Sequence, residues 1–184
     1  IDRIFVNKDP ENNKYWFPKS GGSIFFYLNT TVKPFDDIEF RKAISLAIDR
    51  ELISKVAMYN YTDPAHQTAL SGSFSKFRLT DEEIKESWVD FDFKAAMGKI
   101  DDLGYIKNNL GFYLDKKGNE IEVVIGIVSG WSDWIRAGQI ISQSLNKIGI
   151  RSRVRTQDFG AWFNDLQMGS FVGAIGWAES GATP

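Results

Sequence analysis

The sequence predicts a mixed α/β fold in which the whole chain, residues 1–184, forms one domain. Residues 121–128 carry the β-branched run that is typical of a buried strand. A helical stripe of apolar side chains follows at residues 134–148, and residues 150–156 then alternate strictly with three arginines on one face. A strand, a helix and a second strand in this order predict a right-handed crossover between two parallel strands.

The first half of the chain adds two predicted strands. Residues 1–6 have a strand-like composition, and the continuous apolar run at residues 23–29 predicts a buried strand. Residues 59–90 are rich in turn formers and predict an irregular region, in which a short acidic helix can begin at residue 80.

A helix start is predicted before residue 40. Asp36 is placed as the N-cap, and Glu39 three residues later completes a capping box. Phe35 and Phe40 occupy the positions of a hydrophobic staple on either side. The apolar stripe that follows predicts a helix to about Val56.

The second half contains two more predicted helices and a hairpin. Asp92 is placed to cap a helix that ends at Gly104, and residues 111–128 predict two strands joined by a turn at 115–119. Asp158 is placed to cap a last helix whose inward face carries Phe159, Trp162, Phe163 and Leu166, and a closing strand follows at residues 171–177.

Charge and composition disfavour several functions. The 22 basic and 24 acidic residues give a net charge of −2, which is not the footprint of a nucleic-acid binder. The absence of cysteine excludes disulfides and thiolate chemistry, and the single histidine, His66, disfavours a histidine-based triad or metal site. No apolar run approaches the ~20 residues that a membrane helix needs.

Aromatic residues are abundant, with 14 Phe, 6 Tyr and 6 Trp, and tryptophan is seldom buried completely. Trp131, Ser132, Asp133 and Trp134 follow the 121–128 strand directly, where open α/β sheets usually bind ligands. The indoles therefore indicate a stacking surface. The alternative is that Trp134, and even Trp131, are core residues of the following helix.

Residues 35–51, with the sequence FDDIEFRKAISLAIDRE, resemble the "vRkAis.AiDR" segment of the family 5 extracellular solute-binding proteins. These are receptors for peptides, nickel and oligosaccharides that serve bacterial ABC importers. Residues 130–134 and 139–150 are similar to a turn and helix of the same lobe in that family. The resemblance covers nearly all of the chain.

This resemblance implies a single mixed-sheet lobe, the C-terminal one, of a two-lobed receptor that closes on its ligand like a flytrap. It implies a monomeric binding protein rather than an enzyme, without a cofactor, that works with a membrane permease. It also implies a place in the periplasm or, as a lipoprotein, at the cell surface. Because the chain opens on a strand-like stretch and stops a few residues beyond the closing strand, we expect it to be a piece of a longer protein.

The last residues bear on the ligand. In oligopeptide receptors of the family, a W-x-x-D-x-x-x-P segment supplies the aspartate that holds the α-amino group of the peptide. Trp177 and Pro184 match this frame, but Ser180 stands at the aspartate position. Burying an ammonium group without a countercharge costs several kcal/mol, which counts against peptides. The neighbouring Glu179 can substitute, so a peptide ligand stays an alternative.

The resemblance and the aromatic content together favour an oligosaccharide of the cello- or manno- type. Trp131 and Trp177 are expected to stack on the apolar faces of sugar rings, and Asp133 is expected to accept hydrogen bonds from two hydroxyl groups. Ser132 and Ser180 are further expected partners of sugar hydroxyls.

Two other hypotheses stay open. A glycoside hydrolase needs two carboxylates about 5 Å or about 6.5–9.5 Å apart, and Asp133 with Glu179 is the pair that the sequence offers. An interaction domain would have Trp131 and Trp177 buried in its core.

Overall fold

Residues 3–14 and 22–177, which the computed structural model describes, contain four strands in one mixed sheet. The strands are β1 (Ile24–Leu28), β2 (Glu122–Val128), β3 (Arg151–Gln157) and β4 (Gly173–Trp177). The α-helices are α1 (Ile38–Leu46), α2 (Arg50–Val56), α3 (Phe93–Asp102), α4 (Ser132–Ile148) and α5 (Phe159–Met168), and two 3-10 helices span Val6–Lys8 and Gly72–Phe77. None of the helices in this part of the chain has the length and apolar character needed to cross a membrane.

The sheet has the order β1-β4-β2-β3. Strand β2 pairs in parallel with β3, from Glu122 opposite Arg151 to Val128 opposite Gln157, and it also pairs in parallel with β4. Strand β1 is antiparallel to β4. The predicted strand, helix and strand are confirmed as β2, α4 and β3, and the carboxyl ends of three parallel strands meet at one edge.

Helices cover both faces of the sheet. On one face, a Cβ added to Gly138 of α4 would lie 2.3 Å from Cδ1 of Ile127, so this glycine lets the helix lie close to β2. On the other face, a Cβ added to Gly126 would lie 4.0 Å from Cδ1 of Trp162 in α5. The alternation of side chains along β2 therefore serves two helices, one on each face.

The structure corrects the predicted start and length of the first helix. Asp37, not Asp36, is the N-cap, and its Oδ1 accepts hydrogen bonds from the backbone N–H groups of Glu39 (2.8 Å) and Phe40 (3.4 Å). The predicted helix to Val56 is two helices, because Asp49 is itself an N-cap that accepts from the Leu52 N–H at 2.8 Å.

Three other predictions about local structure were wrong. Residues 3–8 form turns and a 3-10 helix rather than a strand, and residues 81–83 form a turn rather than a helix. The turn at 115–119 is present, but the predicted hairpin is reduced to isolated bridges, Leu114 with Glu120 and Lys107 with Tyr113. Asp115 accepts hydrogen bonds from two backbone N–H groups of its own turn, so the turn forms without long strands.

The arginines of β3 each face a carboxylate. Arg153 lies 3.1 Å from Glu122 and Arg155 lies 2.7 Å from Asp165, while Arg151 pairs with Glu120. These exposed pairs agree with the prediction of a solvated face rather than a phosphate site.

Four charged side chains form a closed ring that holds the irregular segment 59–92 against α1 and α3. Lys42 contacts Glu39 (2.8 Å) and Glu86 (2.6 Å), and Lys99 contacts the same two carboxylates, each at 2.9 Å. Hydrogen bonds from the lysines lower the pKa of Glu86 to about 2 and also lower the pKa of Glu39.

The ring makes stability depend on pH. A carboxylate whose pKa falls on folding stabilises the protein above its ordinary pKa of 4.5, and this contribution is lost as the pH falls towards 2. We therefore expect Glu86→Gln to lower the Tm at pH 7 and to lower it less at pH 3. Thermal melts followed by circular dichroism test this, with Glu82→Gln in the same segment as the control. A Tm difference that stays constant between the two pH values would contradict the prediction.

Two helix-terminal glycines give a second prediction. Gly149 and Gly169 both end a helix with positive φ, +98° and +68°, which costs another residue about 1–2 kcal/mol. A Cβ on Gly149 would also lie 2.5 Å from the carbonyl oxygen of Gly111, whereas a Cβ on Gly169 would meet nothing within 4 Å. We expect Gly149→Ala to reduce the free energy of unfolding by about 1–3 kcal/mol more than Gly169→Ala does. Urea denaturation measures both, and equal losses would contradict the expected clash.

Candidate functional site

Aromatic rings from three elements meet where the parallel strands end. Strand β2 leads through a turn into α4, β3 leads directly into α5, and β4 ends on Trp177. The rings that meet here, called the aromatic cluster below, are Trp131, Trp134, Phe159, Trp162 and Trp177. The cluster lies at the carboxyl edge of the sheet, as expected for a ligand site in an open α/β fold.

Trp131 is near the centre of the cluster. Its ring centroid lies 4.6 Å from that of Trp134 and 6.0 Å from that of Trp177, with planes at 86° and 37°. Trp162 lies 5.4 Å from Trp177 and 6.4 Å from Trp131. Such edge and tilted contacts are the favoured geometries of aromatic pairs and stabilise by about 0.5–1.5 kcal/mol each beyond the area that they bury.

The cluster has a buried layer and an open layer. Trp134 and Trp162 are only 6% and 2% exposed and form the floor, whereas Trp177 and Phe159 are 41% and 47% exposed. Trp131 is half-buried between the two layers. Trp134 thus has the position of a core residue of its helix, and Trp131 and Trp177 lie together on the accessible side.

The turn before α4 is made possible by Gly130, whose φ is +84°. Trp131 is the N-cap of α4 but gives no side-chain hydrogen bond to the helix, and the exposed Ser132 begins the first turn. The N-cap position, which usually carries a side-chain oxygen that caps the helix, therefore carries the Trp131 ring at the sheet edge.

Asp133 is half-buried in the first turn of α4, where the helix dipole favours a carboxylate. Its carboxylate makes no hydrogen bond and no ion pair within residues 3–14 and 22–177. The acceptor sites of Asp133 are therefore available to donors from a ligand.

One turn further along α4, Arg136 closes this end of the helix against α2. Its Nη2 donates to the carbonyl oxygen of Ala57 at 3.3 Å, and its guanidinium lies 5.1 Å from the ring centre of Tyr59. Arg136 and Asp133 share a helix face by their spacing, but among the described residues no ion pair joins them.

The floor of the cluster contains one buried donor without a partner. Within the part of the chain that the structure describes, Nε1 of Trp162 has no hydrogen-bond acceptor. Beside this ring is a cavity of about 10 Å³ with Gly126, Gln157 and Asp165 among its lining residues. A space of this size is close to that of a single water molecule.

The site includes residues that the sequence-based prediction assigned to the core. Phe159 and Phe163 were predicted to point inward, but they are 47% and 42% exposed, so that prediction was wrong. Trp162, predicted to point inward, is buried as expected. The sequence did contain a signal for this exposure. Because the predicted strand ends near Gln157, the first residues of the following helix lie at the carboxyl edge of the sheet, where the sheet does not cover them.

Glu179 and Ser180 lie outside the described residues. Their expected roles, and the pairing of Asp133 with Glu179 that a hydrolase would require, therefore stay predictions. Among the residues described, no group of three His, Asp or Glu side chains could hold a metal ion.

A protein-family comparison matches nearly the entire chain. Residues 2–183 match the model described as "Bacterial extracellular solute-binding proteins, family 5 Middle". A curated relative, a probable peptide ABC transporter periplasmic-binding protein of Sinorhizobium fredii, is 19% identical over 173 residues, which is 94% of this chain and 30% of the relative.

Solved structures share the fold. A periplasmic oligopeptide-binding protein of an ABC transporter from Thermotoga maritima matches 98% of this chain with 25% identity and a TM-score of 0.83. Its mannohexaose-bound crystal structure matches 97% with 26% identity and a TM-score of 0.82. AppA from Bacillus subtilis, in complex with a nonapeptide, matches 97% with 18% identity and a TM-score of 0.79. The chain spans about a third of these proteins, 35%, 34% and 36% of their lengths.

The two layers of the aromatic cluster should differ in their importance for stability. Trp134→Ala removes a ring from the buried floor and is expected to reduce the free energy of unfolding by about 3–5 kcal/mol. Trp177→Ala removes a ring that is 41% exposed and should cost clearly less. Urea denaturation of both variants measures the difference, and equal losses would show that the open layer belongs to the core.

Proposed function

Since the chain belongs to family 5 of the bacterial extracellular solute-binding proteins, we propose that it forms one lobe of an ABC-importer receptor and binds an oligosaccharide of the cello- or manno- type. The family acts outside the cytoplasm, which confirms the expected extracytoplasmic location. Trp131, Asp133 and Trp177 provide the principal contacts in this proposal.

The observation that supports an oligosaccharide most directly is the open layer of the aromatic cluster. Pyranose rings have apolar C–H faces that suit indole surfaces, and the centroids of Trp131 and Trp177 are 6.0 Å apart at the ligand edge of the sheet. The buried Trp134 and Trp162 pack beneath these rings and restrict the positions that the open indoles can take. Side chains that are positioned before binding lose less conformational entropy when the ligand binds.

Polar groups beside the rings can bind the hydroxyl groups of a sugar. The carboxylate of Asp133, which has no partner among the described residues, can accept hydrogen bonds from two adjacent hydroxyl groups. Ser132 is exposed one residue earlier. Hydrogen bonds to these groups fix the orientation of the sugar, while stacking supplies most of the apolar contact.

The ligand of one solved relative also supports an oligosaccharide. The T. maritima protein bears an oligopeptide-binding name, yet it has been crystallised with mannohexaose bound. Its similarity to this chain, at 26% identity, supports the proposal of an oligosaccharide ligand here.

Peptide binding is the second candidate. The S. fredii relative is named for peptides, and B. subtilis AppA was solved with a nonapeptide. Asp133 favours this alternative to a degree, because a free carboxylate could also pair with a peptide α-amino group. The contribution of Asp133 should then disappear when the peptide amine is acetylated, whereas a sugar has no such group.

In this proposal the ligand is captured between two lobes, as in other receptors of the family. One lobe supplies the aromatic surface, the second lobe covers the ligand, and hinge closure traps it for delivery to a membrane permease. We propose a monomeric receptor that does not transform its ligand. The relatives are binding proteins by name, so catalysis by Asp133 and Glu179 is not needed to explain the site.

Calorimetric titration of the receptor that carries this chain tests the ligand class. We expect heats of binding with cello- or manno-oligosaccharides and none with tri- to pentapeptides. Trp131→Ala or Trp177→Ala should weaken sugar binding by about 30-fold, since an indole hot spot contributes about 2 kcal/mol or more.

Phe77→Leu serves as the matched control, because Phe77 is 50% exposed in a 3-10 helix that contributes no ring to the cluster. This variant should bind like the wild type. Heat from peptides alone would overturn the oligosaccharide proposal in favour of the peptide alternative.

A further inference from the structure

Helix α5 exposes two phenyl rings that the core does not use. Its first turn starts at the N-cap Asp158, whose Oδ1 accepts from the Ala161 N–H at 3.0 Å. Trp162 packs on the sheet over Gly126, and Leu166 of the same helix also packs against the core. Phe159 and Phe163 are four residues apart and therefore share a helix face, and both remain more than 40% exposed.

The two phenyl rings form a row with Trp177. The centroids of Phe159 and Trp177 are 6.5 Å apart with planes only 5° from parallel, and those of Phe159 and Phe163 are 5.8 Å apart with planes 8° from parallel. We call Trp177, Phe159 and Phe163 the aromatic row. The planes of its three rings are nearly parallel, whereas the ring planes of Trp134 and Trp162 in the buried floor meet at a large angle.

The row begins inside the proposed ligand site and leads away from it. Trp177 is 6.0 Å from Trp131, while no ring contact joins Phe163 to Trp131, Trp134, Trp162 or Trp177 in the described part of the chain. Adjacent exposed aromatic rings commonly mark a binding surface. Because the row is continuous with the site, its occupant should be a continuation of the same ligand.

We propose that the aromatic row extends the site along α5 and binds successive units of a flat, β-1,4-linked oligosaccharide. This inference rests on the proposed oligosaccharide function. Near-parallel rings suit a ribbon-like chain that presents an apolar face at each unit. An α-1,4-linked glucan curls and would leave the row after one contact, and an extended peptide alternates its side chains and would not present a flat face to each ring.

The proposal predicts that affinity depends on ligand length. The rings of Trp131, Trp177 and Phe159 lie 6.0–6.5 Å from one another, so a disaccharide is long enough to contact them, whereas a longer chain also reaches Phe163. In the wild-type receptor the Kd should fall by about tenfold or more between the disaccharide and the hexasaccharide, which is the effect of one further good contact.

The experiment is a calorimetric length series, from two to six units, of β-1,4-linked gluco- and manno-oligosaccharides with the wild-type receptor, Phe163→Leu and Phe159→Leu. Leucine keeps an apolar side chain and a good helix former but removes the flat ring. We expect Phe163→Leu to keep disaccharide affinity within about twofold and to lose most of the gain with length. Phe159→Leu changes a ring of the aromatic cluster itself and should weaken binding at every chain length. Phe77→Leu, a matched exposed phenylalanine outside the row, should retain the whole series.

The possible failures are distinguishable. A length series that is the same in Phe163→Leu and wild type would overturn the extension while leaving the sugar site itself in place. Maltohexaose binding as tightly as the β-linked hexasaccharides would overturn the requirement for a flat ribbon. A wild-type receptor that binds no sugar of any length would overturn the proposed function and the extension together.

Discussion

The packing of Trp131 and Trp177 over Trp134 and Trp162 is the interaction on which the site depends. The two lower indoles are nearly inaccessible, and each upper indole contacts both of them within 6.4 Å of ring centroid distance. Four chain segments must be in place for this contact: the ends of β2 and β4 and the starts of α4 and α5. The fold therefore supports an aromatic surface at the edge of the sheet where parallel strands end, and the proposed ligand requires such a surface.

Much of the fold could be predicted from the sequence because its local signals agree. The β-branched run of β2, the apolar stripe of α4 and the strict alternation of β3 each have a distinct period, and Gly149 ends the helix between them. Errors arose where two local signals compete. Asp36 and Asp37 are equally good caps by composition, and the apolar stripe continues past the cap at Asp49, so neither helix boundary could be read from period alone.

The site was only partly predictable. Trp131 could be proposed from the sequence because it lies in the turn after a strand, but its contact with Trp177, 46 residues away in sequence, depends on the order of strands in the sheet, which local patterns do not encode. Phe159 and Phe163 were assigned to the core because amphipathic periodicity places them beside Trp162. Periodicity in the sequence does not show that the sheet ends before it covers these two side chains. A hydrophobic stripe on a helix at a sheet edge can therefore stay partly exposed instead of entering the core.

The proposed function requires that the open indoles contact the sugar itself. A crystal structure of the receptor that carries this chain, grown with a β-1,4-linked hexasaccharide, tests this requirement. We predict pyranose rings lying against the faces of Trp131 and Trp177, with sugar hydroxyls donating to the carboxylate of Asp133. A sugar bound elsewhere, with these indoles covered by protein atoms of the receptor, would contradict it.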